Sequence, residues 1–207
     1  YNGGSSYGFS LTDSDGNVAL GVQALSADTL GARNTALGRS ALAAQNFTTA
    51  TNAYNVAIGY AAGVSVTTAT DVTLIGGLAG DAITTGTDNV AFGYAALSTE
   101  DAHGLNVAVG SQALRVQNAG ANAYNVGIGY NAGGAITTGI QNVLVGGLAG
   151  DALTDADFNV AVGYLALSSD TLGSDSVAIG RSALESQNFT TATNVYNVAV
   201  GRSAGVN

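Results

Sequence analysis

The segment Gly201-Arg202-Ser203-Ala204-Gly205 spells the Gly-x-Ser-x-Gly pattern that sets a nucleophilic serine on a tight strand-to-helix turn. Such a serine needs an imidazole base. The chain has one histidine, His103, and it precedes the serine instead of following it as it does in hydrolases built on that turn. The equivalent segments at 59–63 and 129–133 read Gly-Tyr-Ala-Ala-Gly and Gly-Tyr-Asn-Ala-Gly, so the serine is one variant of a repeated phrase. No residue is assigned to catalysis, and His103 reads as a solvated residue in a connection.

Metal chemistry has two sequence candidates. Gly-Gly-Leu-Ala-Gly-Asp at 76–81 and 146–151 approaches the calcium-binding nonapeptide pattern, but its last glycine stands one residue out of register, which turns the ligands away. The pairs Asp13/Asp15 and Asp155/Asp157 could each give oxygens to a hard cation, yet no EF-hand loop follows and aspartate forms turns without a metal. The expectation is no cofactor, with calcium as the one ion left open. No glycine pattern opens a helix as a nucleotide-binding loop requires.

Recognition chemistry concentrates in three longer connections. Gln45 to Tyr54, its near copy Gln187 to Tyr196, and the shorter Gln117 to Tyr124 carry extra residues, and repeat proteins place binding loops at such insertions. The candidate binding residues are Asn46, Phe47, Tyr54, Asn118, Tyr124, Asn188, Phe189 and Tyr196. A second set of tyrosines, 60, 94, 130 and 164, directly follows a recurring glycine, where the rings suit either carbohydrate stacking or capping of an edge.

The elements that must position these residues are set by that glycine. It recurs at 21, 38, 59, 76, 93, 110, 129, 146, 163, 180 and 201, with spacings of 17, 21, 17, 17, 17, 19, 17, 17, 17 and 21. A period this short, sustained along the chain, means stacked coils that bury their apolar sides against one another. Three residues before each glycine stands Val or Thr, and one before it Leu, Ile, Val or Phe, which is the alternation of a strand. Between them lies mostly alanine, and four before the glycine stands Asn in all units except those with Val72 and Ser176. Three after it, every unit has alanine. Four after it the residues run Leu, Leu, Gly, Gly in strict rotation, so a super-repeat of four coils spans 72 and then 70 residues.

Val56 and Ile58 therefore face one way and Ala57 the other, and both faces are apolar. A strand apolar on both faces is covered on both. One cover is the coil's own interior. Across the other, a column of outward alanines would form a continuous apolar stripe, and an identical chain is the expected cover.

Composition narrows the rest. Thirty glycines without a proline argue against collagen and Pro-rich disorder, and 46% hydrophobic residues argue against disorder generally. Fourteen acids against five arginines and no lysine give a net charge of −9, which opposes a nucleic-acid partner. Cysteine is absent, which removes disulfides and thiolate metal sites. No apolar run reaches the length of a membrane span, so no membrane insertion by this segment is expected.

Asn-Val-Ala-Ile-Gly-Tyr-Ala-Ala-Gly at 55–63 and Asn-Thr-Ala-Leu-Gly-Arg-Ser-Ala-Leu at 34–42 resemble two related repeat families. These are the heads of trimeric autotransporter adhesins and the arrays of phage tail fibres that often precede an endosialidase-type intramolecular chaperone. The resemblance covers residues 17–205, and the period looks more like that of the tail-fibre arrays. It implies a left-handed parallel β-roll, three chains about a common axis, and display outside the cell on a virion or a bacterial surface for host attachment.

The expected architecture is thus all-β: a parallel β-roll or β-solenoid of about twelve coils of 17 to 21 residues, homotrimeric, with 1–16 as a worn first coil and 17–207 as the repeat. At about 4.8 Å per coil the rod is on the order of 55 to 60 Å long. The expected role is a non-enzymatic shaft or head segment of a trimeric surface fibre. The alternatives are a filament assembled head to tail, suggested by matching coil phases at the two ends, and direct binding of a receptor or glycan by the long connections.

Overall fold

The computed structural model describes residues 16–206, and 1–15 of the worn first coil, with the Asp13/Asp15 pair, lie outside them. Every described element is β. One parallel sheet takes a three-residue strand from each coil: Val18–Leu20, Thr35–Leu37, Val56–Ile58, Thr73–Ile75, Val90–Phe92, Val107–Val109, Val126–Ile128, Val143–Val145, Val160–Val162, Val177–Ile179 and Val198–Val200. The strands pair in chain order, each coil carrying the chain round to the next parallel strand, and each residue faces its counterpart one coil away, as Val143 faces Val160 and Leu144 faces Ala161. The chain is a parallel β-solenoid.

Four left-handed residues bend each coil. In the coil of Gly110 they are Leu105 at φ 67°, Gly110 at 137°, Gln112 at 62° and Leu114 at 47°, and the same four columns are left-handed in every coil. A non-glycine residue held there costs about 1–3 kcal/mol unless its surroundings fix it. Here the ladder does so: Gln112 N–H donates to the Tyr94 carbonyl at 2.9 Å, and Leu114 N–H donates to Ala132 at 3.0 Å, tying the corner to the coils on both sides. Only the first glycine is obligatory. A Cβ on Gly59 would stand 2.5 Å from the Gly76 carbonyl oxygen of the next coil.

The structure reverses the expected facing of the strand. The alanines between the apolar pair, such as Ala57, Ala108 and Ala161, are fully buried inside the coil, and the Val and Ile columns face outward. The interior is narrow because the alanine three residues after each glycine also points into it, as Ala62 and Ala113 do. The outer face then carries the bulkier residues, and Phe92 is 51% exposed, Ile128 38% and Ile179 39%. The apolar stripe is thus larger than one of alanines.

The Leu-Leu-Gly-Gly rotation has a packing cause. Leu25, Leu42, Leu97, Leu114 and Leu167 fill their coils from the corner. In the glycine coils the space is filled by Leu74 and Leu144 from the strand and by Val66, Ile83, Ile136 and Leu153 from the next turn. A Cβ on Gly80 would lie 2.7 Å from Leu74 Cδ2 and 2.8 Å from Ile83 Cδ1, and one on Gly150 would lie 2.8 Å from both Leu144 Cδ2 and Leu153 Cδ1. Each super-repeat is a set of complementary volumes.

Candidate functional site: buried amide and carboxylate ladders under the long connections

The asparagine column is a ladder. Each side-chain carbonyl accepts the backbone N–H of the residue in the same column one coil on: Asn125 Oδ1 from Asn142 at 2.8 Å, Asn142 Oδ1 from Asn159 at 2.9 Å, Asn159 Oδ1 from Ser176 at 2.9 Å. Most of the amides donate to the carbonyl fourteen residues ahead, as Asn142 does to Ala156 at 2.8 Å and Asn159 to Gly173 at 2.9 Å, whereas Asn106 turns to Gly104 at 3.2 Å. Asparagine is suited to this position because its side chain offers an acceptor and donors together. Fourteen residues beyond Asn34 lies Thr48, inside a long connection, and the Asn34 amide is buried without a partner.

Seven residues after the glycine, a second column carries chemistry that the sequence reading passed over. It runs Asp28, Gln45, Val66, Ile83, Glu100, Gln117, Ile136, Leu153, Asp170, Gln187, so each super-repeat holds an acid and a glutamine in its leucine coils. Gln45 Nε2 donates to Asp28 Oδ2 at 2.7 Å, and Asn55 Nδ2 donates to Gln45 Oε1 at 2.9 Å. The middle network repeats this with Gln117 to Glu100 at 3.3 Å and Asn125 to Gln117 at 3.0 Å, and the last with Gln187 to Asp170 at 2.5 Å and Asn197 to Gln187 at 2.7 Å. Asp28, Glu100 and Asp170 are fully buried. Charge-assisted hydrogen bonds are what make such burial tolerable.

These networks stand at the roots of the long connections, which are more ordered than free loops. Thr51–Asn52 pairs as a strand with Gly31–Ala32, and Thr193–Asn194 with Gly173–Ser174. Phe47 is buried, and Phe189 is half-buried with its N–H donating to Asp170 Oδ1 at 2.9 Å. Asn46 and Asn188 are exposed, and their side-chain oxygens each accept from a threonine hydroxyl of the preceding coil at 3.2 Å. Asn118 is exposed, and its N–H donates to the Thr137 carbonyl at 2.8 Å.

Tyr54, Tyr124 and Tyr196 occupy one left-handed column and are exposed. The Arg33 guanidinium lies 5.3 Å from the Tyr54 ring centre and bonds its hydroxyl, and Asn194 donates to the Tyr196 hydroxyl at 3.3 Å. Four coils separate successive tyrosines of this column, about 19 Å at one strand spacing per coil. The candidate residues therefore form three similar clusters along one edge and do not converge on one site. Tyr60, Tyr94, Tyr130 and Tyr164 form a separate exposed row, with Arg39 5.8 Å from the ring centre of Tyr60.

The described calcium candidates are occupied otherwise. Asp155 Oδ1 accepts from the Thr138 hydroxyl at 2.6 Å, and Asp157 Oδ1 accepts from Ile140 N–H at 2.7 Å. Asp81 and Asp151 each have a buried Oδ1 without a hydrogen-bond partner, and desolvation pushes both carboxyls up from the ordinary range. His103 is not the solvated residue expected. It is half-buried, with Nδ1 3.5 Å from Glu100 Oε1, and with Asp101 it forms the one group of three metal-ligand side chains among the described residues. Burial raises the Glu100 carboxyl, against the opposing hydrogen bonds from His103 N–H and Gln117.

Among the described residues no ligand-sized pocket is formed, and no helix is long and apolar enough to cross a membrane. No family model, curated relative or solved structure matches the chain.

Proposed function

We propose that this chain is a shaft or head segment of a homotrimeric extracellular fibre, of the kind carried by a virion or a bacterial surface for host attachment, and that its role is structural rather than catalytic. The observation that carries the reading is the outward face of the parallel sheet. Two columns of Val, Ile, Leu, Thr and Phe run its whole length and form a continuous apolar band. Bands of this extent mark interaction surfaces. The partner that matches a strip repeating every coil is a strip with the same repeat, which a second and third copy of the chain supply in register. The resemblance of the coil phrases to trimeric fibre repeats supports the same stoichiometry.

The test is mass. Sedimentation equilibrium is expected to give three times the 20.3 kDa of one chain, and a stable folded monomer would overturn the proposal. A second reading, contact with a receptor or glycan, is favoured by the exposed tyrosines of the long connections. It predicts that Tyr54, Tyr124 and Tyr196 changed together to serine abolish attachment to host cells while the oligomer persists.

A further inference from the structure

The middle acid–glutamine network departs from the grammar of its two sisters. At 28–31 and at 170–173 the chain reads Asp-Thr-Leu-Gly, whereas at 100–103 it reads Glu-Asp-Ala-His. In the outer networks the glycine is forced by packing: a Cβ on Gly31 would lie 2.9 Å from Asp28 Cγ, and one on Gly173 would lie 3.0 Å from Asp170 Cγ. The glycine N–H donates to the carboxylate, at 2.9 Å in the first network and 3.1 Å in the last. In the middle network the backbone bond survives, from His103 N–H to Glu100 Oε1 at 3.2 Å, but an imidazole now occupies the glycine's place. All four residues differ from the sister phrase, while the strand and corner columns of their coil keep the common pattern.

The new side chains leave an electrostatic gap. His103 Nδ1 is enclosed and has no hydrogen-bond partner, although it lies 3.5 Å from Glu100 Oε1. With the proton on Nε2, Nδ1 and the carboxylate oxygen face each other as two acceptors, an arrangement that a cation completes. A tetrahedral ion with bonds of about 2.1 Å holds two ligand atoms roughly 3.4 Å apart, which is the separation found. A carboxylate oxygen of Asp101 lies within 4.8 Å of a ligand atom on each of Glu100 and His103, and this side chain is exposed and able to swing inward. Imidazole combined with carboxylates selects zinc and its borderline neighbours over calcium or magnesium.

We propose that Glu100, Asp101 and His103 bind one divalent ion of the zinc type. His103 Nδ1 and Glu100 Oε1 are the inner ligands, Asp101 closes from the solvent side, and a fourth position stays open to water. Gln117 Nε2, 3.3 Å from the second oxygen of Glu100, fixes the carboxylate from behind. The ion ties this turn to the root of the 117–124 connection, where Gly104 N–H already donates to Asn122 Oδ1 at 3.0 Å. The site is independent of the fibre reading.

The test uses Zn²⁺ with the chain freed of any affinity tag, because the single histidine then reports without ambiguity. Calorimetry is expected to show one saturable site per chain, long-range ¹⁵N spectra to show the metal on Nδ1, and the melting temperature to rise with Zn²⁺ but not with Mg²⁺. The triple variant Glu100→Asp, Asp101→Thr, His103→Gly takes the sister residues at the three ligand positions and leaves Ala102 in place, so it is expected to fold as the wild type does and to lose the Zn²⁺ signal. His103→Gln, which keeps the side-chain bulk, is expected to lose it as well. Absence of saturable binding by the wild type, equal binding by the triple variant, or metal on Nε2 would each overturn the proposal.

Discussion

The complementarity between Leu74 and the glycines beneath it yields a quantitative expectation. Leu74 is fully buried, and Leu74→Ala leaves a cavity at a cost of about 2–5 kcal/mol. Gly63→Ala places a methyl 2.7 Å from Leu74 Cδ1, 3.1 Å from Leu42 Cδ2 and 3.2 Å from Val66 Cγ2. This overpacking costs about 1–3 kcal/mol. Holding alanine at the φ of 57° found there adds about 1 kcal/mol. If the two sites were independent, the double variant would lose the sum. The geometry instead predicts that the new methyl enters the space vacated by Leu74, so that the 2.7 Å clash disappears and only the left-handed strain, the milder approaches to Leu42 and Val66 and part of the cavity remain. The double variant should therefore be more stable than the sum of the singles by about 1–3 kcal/mol. Denaturant unfolding of the four proteins under one oligomeric state measures this coupling. Additivity within about 0.5 kcal/mol would refute the account of the Leu-Leu-Gly-Gly rotation as shared volume.

Other perturbations follow from the ladders and from burial. Asn142→Ala strips the acceptor from Asn159 N–H and the donor from the Ala156 carbonyl, and is expected to cost about 1–3 kcal/mol in an unfolding titration; a neutral result would remove the ladder from the list of stabilising features. Phe47→Ala is expected to cost about 3 kcal/mol because the ring is buried beneath its connection, and a loss under about 0.5 kcal/mol would return that connection to the status of a free loop. The carboxyls of Asp81 and Asp151 are raised by desolvation, so the folded chain holds protons that the unfolded chain has already released. Stability is then greatest below the ordinary carboxylate range, falls as pH rises from there through the raised values, and levels above them. Melting temperature against pH should lose part of that slope in the Asp81→Asn, Asp151→Asn variant, and an unchanged slope would count against the assignment.

The coil period, the strand and the parallel stacking were legible because each imposes a residue type on a column repeated within one chain. The obligatory glycine of the first corner was legible for the same reason, since its Cβ would strike the next coil. The facing of the strand was not legible, because Val-Ala-Ile is apolar on both sides and pattern alone cannot say which side is the narrower space. Ala113 and its column, which narrow the interior, decide it only once the corner is built. The long connections read as projecting loops because Thr51–Asn52 and Thr193–Asn194 are too short to signal strands that pair with the preceding coil. The buried acid–glutamine column was present in the sequence as Asp28/Gln45, Glu100/Gln117 and Asp170/Gln187, seventeen residues apart each time. Its rotation with the leucine coils was the signal that could have found it. His103 read as solvated because one histidine in a connection has no periodicity, and its meaning emerges only against Gly31 and Gly173 in the same column.

The central claim is that the outward Val and Ile columns are the surface joining identical chains. Val109 and Val162 lie in those columns at inner strands of the sheet, half-buried in one chain and away from the core. The deciding measurement is the sedimentation mass of Val109→Asp, Val162→Asp beside the wild type, with circular dichroism confirming that both are folded. The account predicts a trimer for the wild type and a folded monomer for the variant. A variant that keeps the trimeric mass would contradict it, because charge on that face would then leave the assembly untouched.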